Sequence, residues 1–253
     1  MPGDSRLPLS RRLGEAIESF YKLQLCRIRR VSSFLQIPYR PAGRRWKSDL
    51  PLGPIRSIQR GALNYSYRGI PMLKNPFEVA LYPVLFWQVK PRTVIEIGSY
   101  LGASALWYAD MMRMFDIAGT VVSVDVKPPG PPEPRNNVTF LFGDANALGA
   151  VLTPDKLASL ERPLLVIEDA SHTAETTLAV LEFFLGVLRS GEYIVIEDAL
   201  VSDLGVAHHF NGGPGLAISR FLAAHPDFEI DASFCDHYGH NYTGNPNGYL
   251  RRR

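Results

Sequence analysis

The pentapeptide Val-Ile-Glu-Asp-Ala occurs twice, at 166–170 and 195–199, and each copy closes an apolar run. Leu164, Leu165, Val166 and Ile167 lead into Glu168 and Asp169; Ile194, Val195 and Ile196 lead into Glu197 and Asp198. Short β-branched runs of this kind are strands buried on both faces, and the segment between them, Thr173 to Leu188, has helical spacing. Strand, helix, strand is a parallel βαβ unit, so the four acids share its carboxyl edge, where open α/β sheets bind ligands. Two unit charges about 4 Å apart repel by roughly 4 kcal/mol at an effective dielectric near 20. The cluster therefore needs raised pKa values or a cation, and hard divalent ions such as Mg²⁺ take oxygen ligands of this kind. Capping of the following helix by Glu168, Asp169 or Ser171 is the competing use of the same residues.

Around this unit the chain alternates strands and helices. Thr93–Ile97, Thr120–Asp125 and Val138–Phe142 read as three strands before the doubled pair, with Phe228–Phe234 and Gly248–Arg252 as a sixth and a seventh. A helix starts at Asn75–Pro76–Phe77 and runs to Lys90; further helices cover Ala103–Phe115 and Pro214–Ala224. The expected fold is thus α/β: a doubly wound, mostly parallel, seven-stranded Rossmann-like sheet. Gly98, Asp125, Asp144, Asp169 and Glu197 each follow a strand and fall on one edge. Ahead of the sheet, Leu13, Ile17, Phe20, Ile28, Val31 and Leu35 sit near helical spacing among arginines. Pro38, Pro41, Gly43, Pro51, Gly53 and Pro54 then interrupt any regular element, which makes 36–60 a linker. Residues 1–60 are read as a basic helical arm and linker, and 61–253 as the α/β domain.

Charge and composition narrow the possible partners. Residues 1–60 hold 13 Lys/Arg against 4 Asp/Glu, a balance of +9, whereas the remainder is at −7, which together give the net +2. Because the arm also carries an apolar stripe, it is expected to dock on the acidic body of its own or a neighbouring subunit, as in a homo-oligomer. Nucleic acid and membrane surface are the less favoured partners. No stretch of 18 apolar residues and no secretory leader occur, so no membrane span is expected. Cys26 and Cys235 are two distant thiols, consistent with free cysteines in the reducing cytoplasm.

The turn after the first sheet strand, Glu96-Ile-Gly98-Ser99-Tyr100-Leu101-Gly102, limits the cofactor. Glycine lets the backbone turn tightly and approach a ligand. A nicotinamide fingerprint would want glycine at position 100, where bulky Tyr100 stands. The E-x-G-x-x-x-G turn is instead similar to that of enzymes using S-adenosylmethionine (SAM), a nucleoside cofactor without phosphate. Glu96, Gly98, Ser99, Gly102 and Ser104 are then the expected cofactor contacts, with Asp125 on the ribose hydroxyls and Asp144 beside adenine.

Asp169, Glu197 and Asp198, with His172 three residues after Asp169, resemble the metal site of cation-dependent methyltransferases of the catechol O-methyltransferase type. Tyr67-Arg-Gly-Ile-Pro, Lys74-Asn-Pro-Phe77, Asp169-Ala-Ser-His172, Ile196-Glu-Asp198, Gly213-Pro-Gly215 and Asn245-Pro-Asn-Gly-Tyr-Leu250 together resemble the rhamnosyl O-methyltransferase/cephalosporin hydroxylase family over residues 60–253. The resemblance implies SAM- and Mg²⁺-dependent O-methylation of a hydroxyl on a sugar or other small natural product. It implies Asp169, Glu197 and Asp198 as Mg²⁺ ligands, with Glu168 behind them or beside the cofactor. His172 is the implied base, since imidazole titrates near working pH. Ser171 departs from the family pattern, in which another acid often precedes the histidine. Two alternatives stay open: a hydroxylase component of an oxygenase, and a non-catalytic SAM-binding partner protein. His208, His209, His225, His237 and His240 could suggest a second, iron-type site, but no His-x-Asp or His-x-Glu pairing accompanies them.

Overall fold

Side-chain alternation along the strands decides which acid faces which layer. The computed structural model describes residues 44–129 and 137–253, so the arm helix over 11–35 and Cys26 lie outside the described residues. A short hairpin comes first, pairing β1 (Ser66–Tyr67) with β2 (Ile70–Pro71). Arg68 and Gly69 at its turn both have positive φ, as a two-residue hairpin requires. The main sheet contains β3 (Thr93–Ile97), β4 (Thr120–Asp125), β5 (Val138–Phe142), β6 (Leu164–Glu168), β7 (Tyr193–Ile196), β8 (Phe228–Ile230) and β9 (Tyr249–Arg252). Their order is β5–β4–β3–β6–β7–β9–β8. The first five are parallel, while β9 runs antiparallel to both β7 and β8. The doubly wound, mostly parallel seven-stranded sheet expected from the sequence is the fold.

Seven helices accompany the strands among the described residues: α1 (Leu52–Ala62), α2 (Pro76–Val89), α3 (Ala103–Met114), α4 (Pro154–Ser159), α5 (Ala174–Leu185), α6 (Gly213–Ala224) and the single turn α7 (Ala232–Cys235). Val94, Leu165, Ile167 and Val195 point into a core shared with Leu81, Tyr82, Leu85 and Phe86 of α2 and Ala105, Tyr108 and Met112 of α3. Ile95, Ile97, Val166, Ile194 and Ile196 point the other way, onto Val180 and Phe184 of α5 and Ala217, Ile218 and Phe221 of α6. Strand order reverses between β3 and β6, which opens a crevice at their carboxyl ends.

Two expectations are corrected. Leu52–Ala62 is a helix within the stretch expected to be linker. Pro51 sits at its N-cap and Gly53 and Pro54 in its first turn, where the amide groups have no intrahelical partner, so these residues open a helix instead of breaking one. The sixth strand ends at Ile230, not at Phe234, because the Asp231 side chain accepts from the Ser233 amide and turns the chain into α7.

Candidate active site

Strand parity separates Glu168 from Asp169. Asp169 continues the side of β6 that holds Leu165 and Ile167, toward α2 and α3, whereas Glu168 follows Leu164 and Val166 to the opposite layer. There Glu168 is buried, accepting from Thr177 Oγ1 at 3.1 Å and from the Ala170 amide at 3.2 Å. Glu197 faces the same layer as Asp169. The Lys74 ammonium stands between them, donating to Asp169 Oδ2 at 2.6 Å and to Glu197 Oε2. The other Glu197 oxygen accepts from Tyr82 OH of α2. Asp198 escapes the parity of β7 by taking a left-handed conformation, φ 54, with its amide held by Asn245 Oδ1 at 3.1 Å. Its carboxylate then reaches His172, whose Nε2 lies 3.5 Å from Asp198 Oδ2.

Ligand atoms of Asp169, His172 and Asp198 all lie within 4.8 Å of one another. This donor set suits a hard divalent ion, since two carboxylates supply oxygen and waters can complete the shell. Of the three expected ligands, Asp169 and Asp198 thus converge with His172, while both oxygens of Glu197 are engaged by Lys74 and Tyr82. Neither Asp169 nor Glu168 caps α5; Thr173 does, accepting from the Thr176 amide. His172 is itself left-handed at φ 58, with a buried Nδ1 that has no hydrogen-bond partner. Strained backbone at both His172 and Asp198 marks the places where the chain gives up local preference to bring these two groups together.

Electrostatics follow from burial. Burial alone would lower the Lys74 pKa, but Asp169 and Glu197 beside it hold it well above the usual value. Burial and the neighbouring Asp169 charge push Glu197 well up despite Lys74 and Tyr82. Burial likewise raises Asp198, with Asp169 adding to it and His172 opposing. For Asp169 burial is overcome by Lys74 and His172, so its carboxyl stays below the ordinary range. Burial lifts Glu96 and Glu168 each to about 7.

A cavity of about 430 Å³ opens beside this cluster, in the crevice between β3 and β6. Gly98, Asp125, Asp144 and Asp169 line it, together with Tyr100, Asn146, Ser171 and Thr176. Its size lies within the range of small-molecule sites. Gly98 has φ +103, and a Cβ there would stand 2.1 Å from the Asp169 carbonyl oxygen, so glycine is what lets the turn lie against β6. The Asp125 carboxylate grips that turn, accepting from the amides of Ser99 at 2.7 Å and Tyr100 at 3.2 Å, and at its other oxygen from the Lys127 backbone amide at 2.8 Å. Asp144 accepts from the amide and side chain of Asn146 and caps the 3-10 turn that follows. Glu96, Ser99 and Ser104 are buried, and Glu96 accepts from Ser123 Oγ while its second oxygen has no partner. These three, with Gly102 and Glu168, are not part of the cavity lining.

Lys74, Tyr82 and Tyr100 were not anticipated at the site. Lys74 directly precedes the N-cap Asn75 and follows no periodic pattern, and Tyr82 reads as one more apolar position of α2. The loop histidines are used elsewhere: His225 contacts Glu182 at 3.1 Å and His240 contacts the Arg45 carbonyl at 3.1 Å. Among the described residues none of them joins a metal-ligating group of three.

The sheet order and the crevice are those of the Rossmann-like methyltransferase fold, and the relatives that follow make the class a SAM-dependent O-methyltransferase. The chain belongs to the rhamnosyl O-methyltransferase/CmcI family, whose model matches residues 59–253. It is similar to the rhamnosyl O-methyltransferase of Mycobacterium bovis (strain BCG / Pasteur 1173P2), 28% identical over 234 residues, which cover 89% of this chain and 92% of the relative. The Mycobacterium leprae (strain TN) rhamnosyl O-methyltransferase is 28% identical over 193 residues, covering 74% and 83%. Among solved structures, CmcI in its apo form matches with a TM-score of 0.60 at 25% identity, covering 85% of this chain and 89% of that one. CmcI with Mg and SAM shares the fold, with a TM-score of 0.57 at 23% identity, covering 100% and 88%. Among the described residues no helix is long and apolar enough to cross a membrane.

Proposed function

We propose that this protein transfers a methyl group from SAM to a hydroxyl of a sugar or other small natural product, with Mg²⁺ bound at the acid cluster. One observation carries the reading: Asp169 belongs both to the cavity lining and to the Asp169–His172–Asp198 group, so a cation held there adjoins a donor held in the cavity. The named activity of the mycobacterial relatives and the ligands of CmcI support it. When bound, Mg²⁺ supplies Lewis-acid polarisation of the acceptor hydroxyl. Asp169 and Asp198 hold the ion, with Glu197 as the third acid of the site. His172 Nε2, 3.5 Å from Asp198 Oδ2, takes the hydroxyl proton. Asp125 orients the ribose and Asp144 the adenine, with buried Ser99 of the Gly98–Gly102 turn and its neighbours Glu96 and Ser104 behind them. Rate then comes mainly from holding oxygen and methyl carbon in line. The enzyme is read as cytoplasmic and homo-oligomeric, with the basic arm at a subunit interface. The arm's charge and apolar stripe support this.

The test is incubation with labelled SAM and Mg²⁺ against a panel of glycosides, phenols and macrolides. Methyl transfer that needs no oxygen and stops with EDTA is expected; full turnover in EDTA contradicts the metal assignment. Asp198→Ala is expected to cut turnover by at least about 100-fold while calorimetry shows SAM affinity nearly unchanged. Activity near wild type in that variant would remove Asp198 from the site.

A further inference from the structure

The lysine between the acids has a role beyond an ordinary ion pair. Lys74 is only 4% exposed and its ammonium donates to one oxygen of Asp169 and one of Glu197. Burying an ammonium costs several kcal/mol unless carboxylates compensate it. Here the compensation comes from two acids of the cation site and not from a partner reserved for the purpose. Lys74 reaches this position because Leu73, left-handed at φ 59, turns the chain between the β1–β2 hairpin and the Asn75 cap of α2. The cap fixes the backbone, since Asn75 and Glu78 form a reciprocal capping box. The geometry points to Lys74 as a built-in counter-cation: it holds Asp169 and Glu197 together before a divalent ion arrives and yields them when the ion binds.

Three consequences follow from charge. Without ion or lysine, buried Glu197 and the partly buried Asp169 and Asp198 repel one another, so the empty protein loses stability. With the lysine present, a divalent ion must displace an ammonium from two carboxylate oxygens, which weakens its binding. Glu197 becomes free to ligate only after that displacement, because its remaining oxygen is held by Tyr82 OH. Lys74 is thus a positioning residue that acts through the acids. The inference rests on the proposed cation site, and the experiment separates the two.

Lys74→Met and Lys74→Arg are compared with wild type by thermal melting and by calorimetric Mg²⁺ titration. In EDTA, Lys74→Met is expected to melt below wild type, and added Mg²⁺ to raise its melting temperature more than that of wild type. Its Mg²⁺ dissociation constant is expected to fall at least about tenfold, the scale set by removing one competing charge at contact distance. Lys74→Arg, which keeps the charge, is expected to stay near wild type in both readouts. Equal melting of Lys74→Met and wild type in EDTA, or weaker Mg²⁺ binding by Lys74→Met, overturns the inference while leaving the cation site intact. Absence of Mg²⁺ binding by wild type and both variants overturns the site reading and the inference with it. Where Lys74→Met does not fold, Tyr82→Phe gives the second test. With Glu197 held by Lys74 alone, Mg²⁺ should bind more tightly, and unchanged affinity contradicts the proposal.

Discussion

At the scale of single residues, two carboxylates of the same edge do opposite work. Asp169 stays ionised between Lys74 and His172, whereas Glu168, one residue earlier, is buried on the other face with its pKa lifted to about 7. Neighbouring positions on a strand face opposite layers, so Glu168 and Asp169 do not act as one chelating pair. Asp125 is tested most directly. Its two oxygens already accept from the Ser99, Tyr100 and Lys127 amides, which leaves about one acceptor position, on Oδ1, for a ribose hydroxyl. Asp125→Ala is expected to weaken SAM binding by about tenfold or more, as befits loss of a charged hydrogen bond, measured by calorimetry. An unchanged dissociation constant would show that the ribose rests elsewhere.

At the scale of elements, the helix α2 joins the active edge to the carboxyl-terminal loop. Glu78 in its first turn accepts from the Asn75 amide, from Thr243 Oγ1 and from the Gly244 amide at 2.8 Å. Burial pushes its carboxyl up from 4.5 to about 8 in spite of those donors. The folded state therefore holds this proton more tightly than the unfolded chain. The stability it contributes is present below about pH 4.5 and lost as pH rises toward 8. Glu78→Gln should flatten the fall of melting temperature across that window, in part only, because Glu96 and Glu168 titrate there too. An unaltered slope in a melting series against pH would contradict it. The strands β3 to β7 were legible from their apolar runs within a residue or two, and so were α2, α3, α5 and α6. Other parts were not. Leu52–Ala62 hid behind its own starting prolines, and the strand expected through Phe234 concealed an Asp231 turn. At the site, the sequence marks Asp169, His172 and Asp198 as chemistry-bearing, but nothing local shows that Lys74 folds back between Asp169 and Glu197. That contact spans 123 residues to Glu197 and depends on the hairpin and cap together.

At the scale of the whole molecule, the charge imbalance supports the proposal that the arm serves assembly. On that proposal, removing residues 1–35 is expected to change the mass measured by light scattering while leaving the methylation rate within about twofold. A loss of rate with unchanged mass would place the arm at the active site instead. Beyond the arm, the sheet is not assembled in the order it is written. β8 is made before β9 but touches the sheet only through it, since β9 lies between β7 and β8. The same late segment carries Gly248, whose carbonyl accepts from the Ile196 amide, and Asn245, which fixes the Asp198 backbone. A chain that had formed only β3 to β7 would therefore lack the groups that hold the Asp198 backbone and pair the Ile196 amide: the rim of the proposed site is completed by a stretch more than forty residues further along.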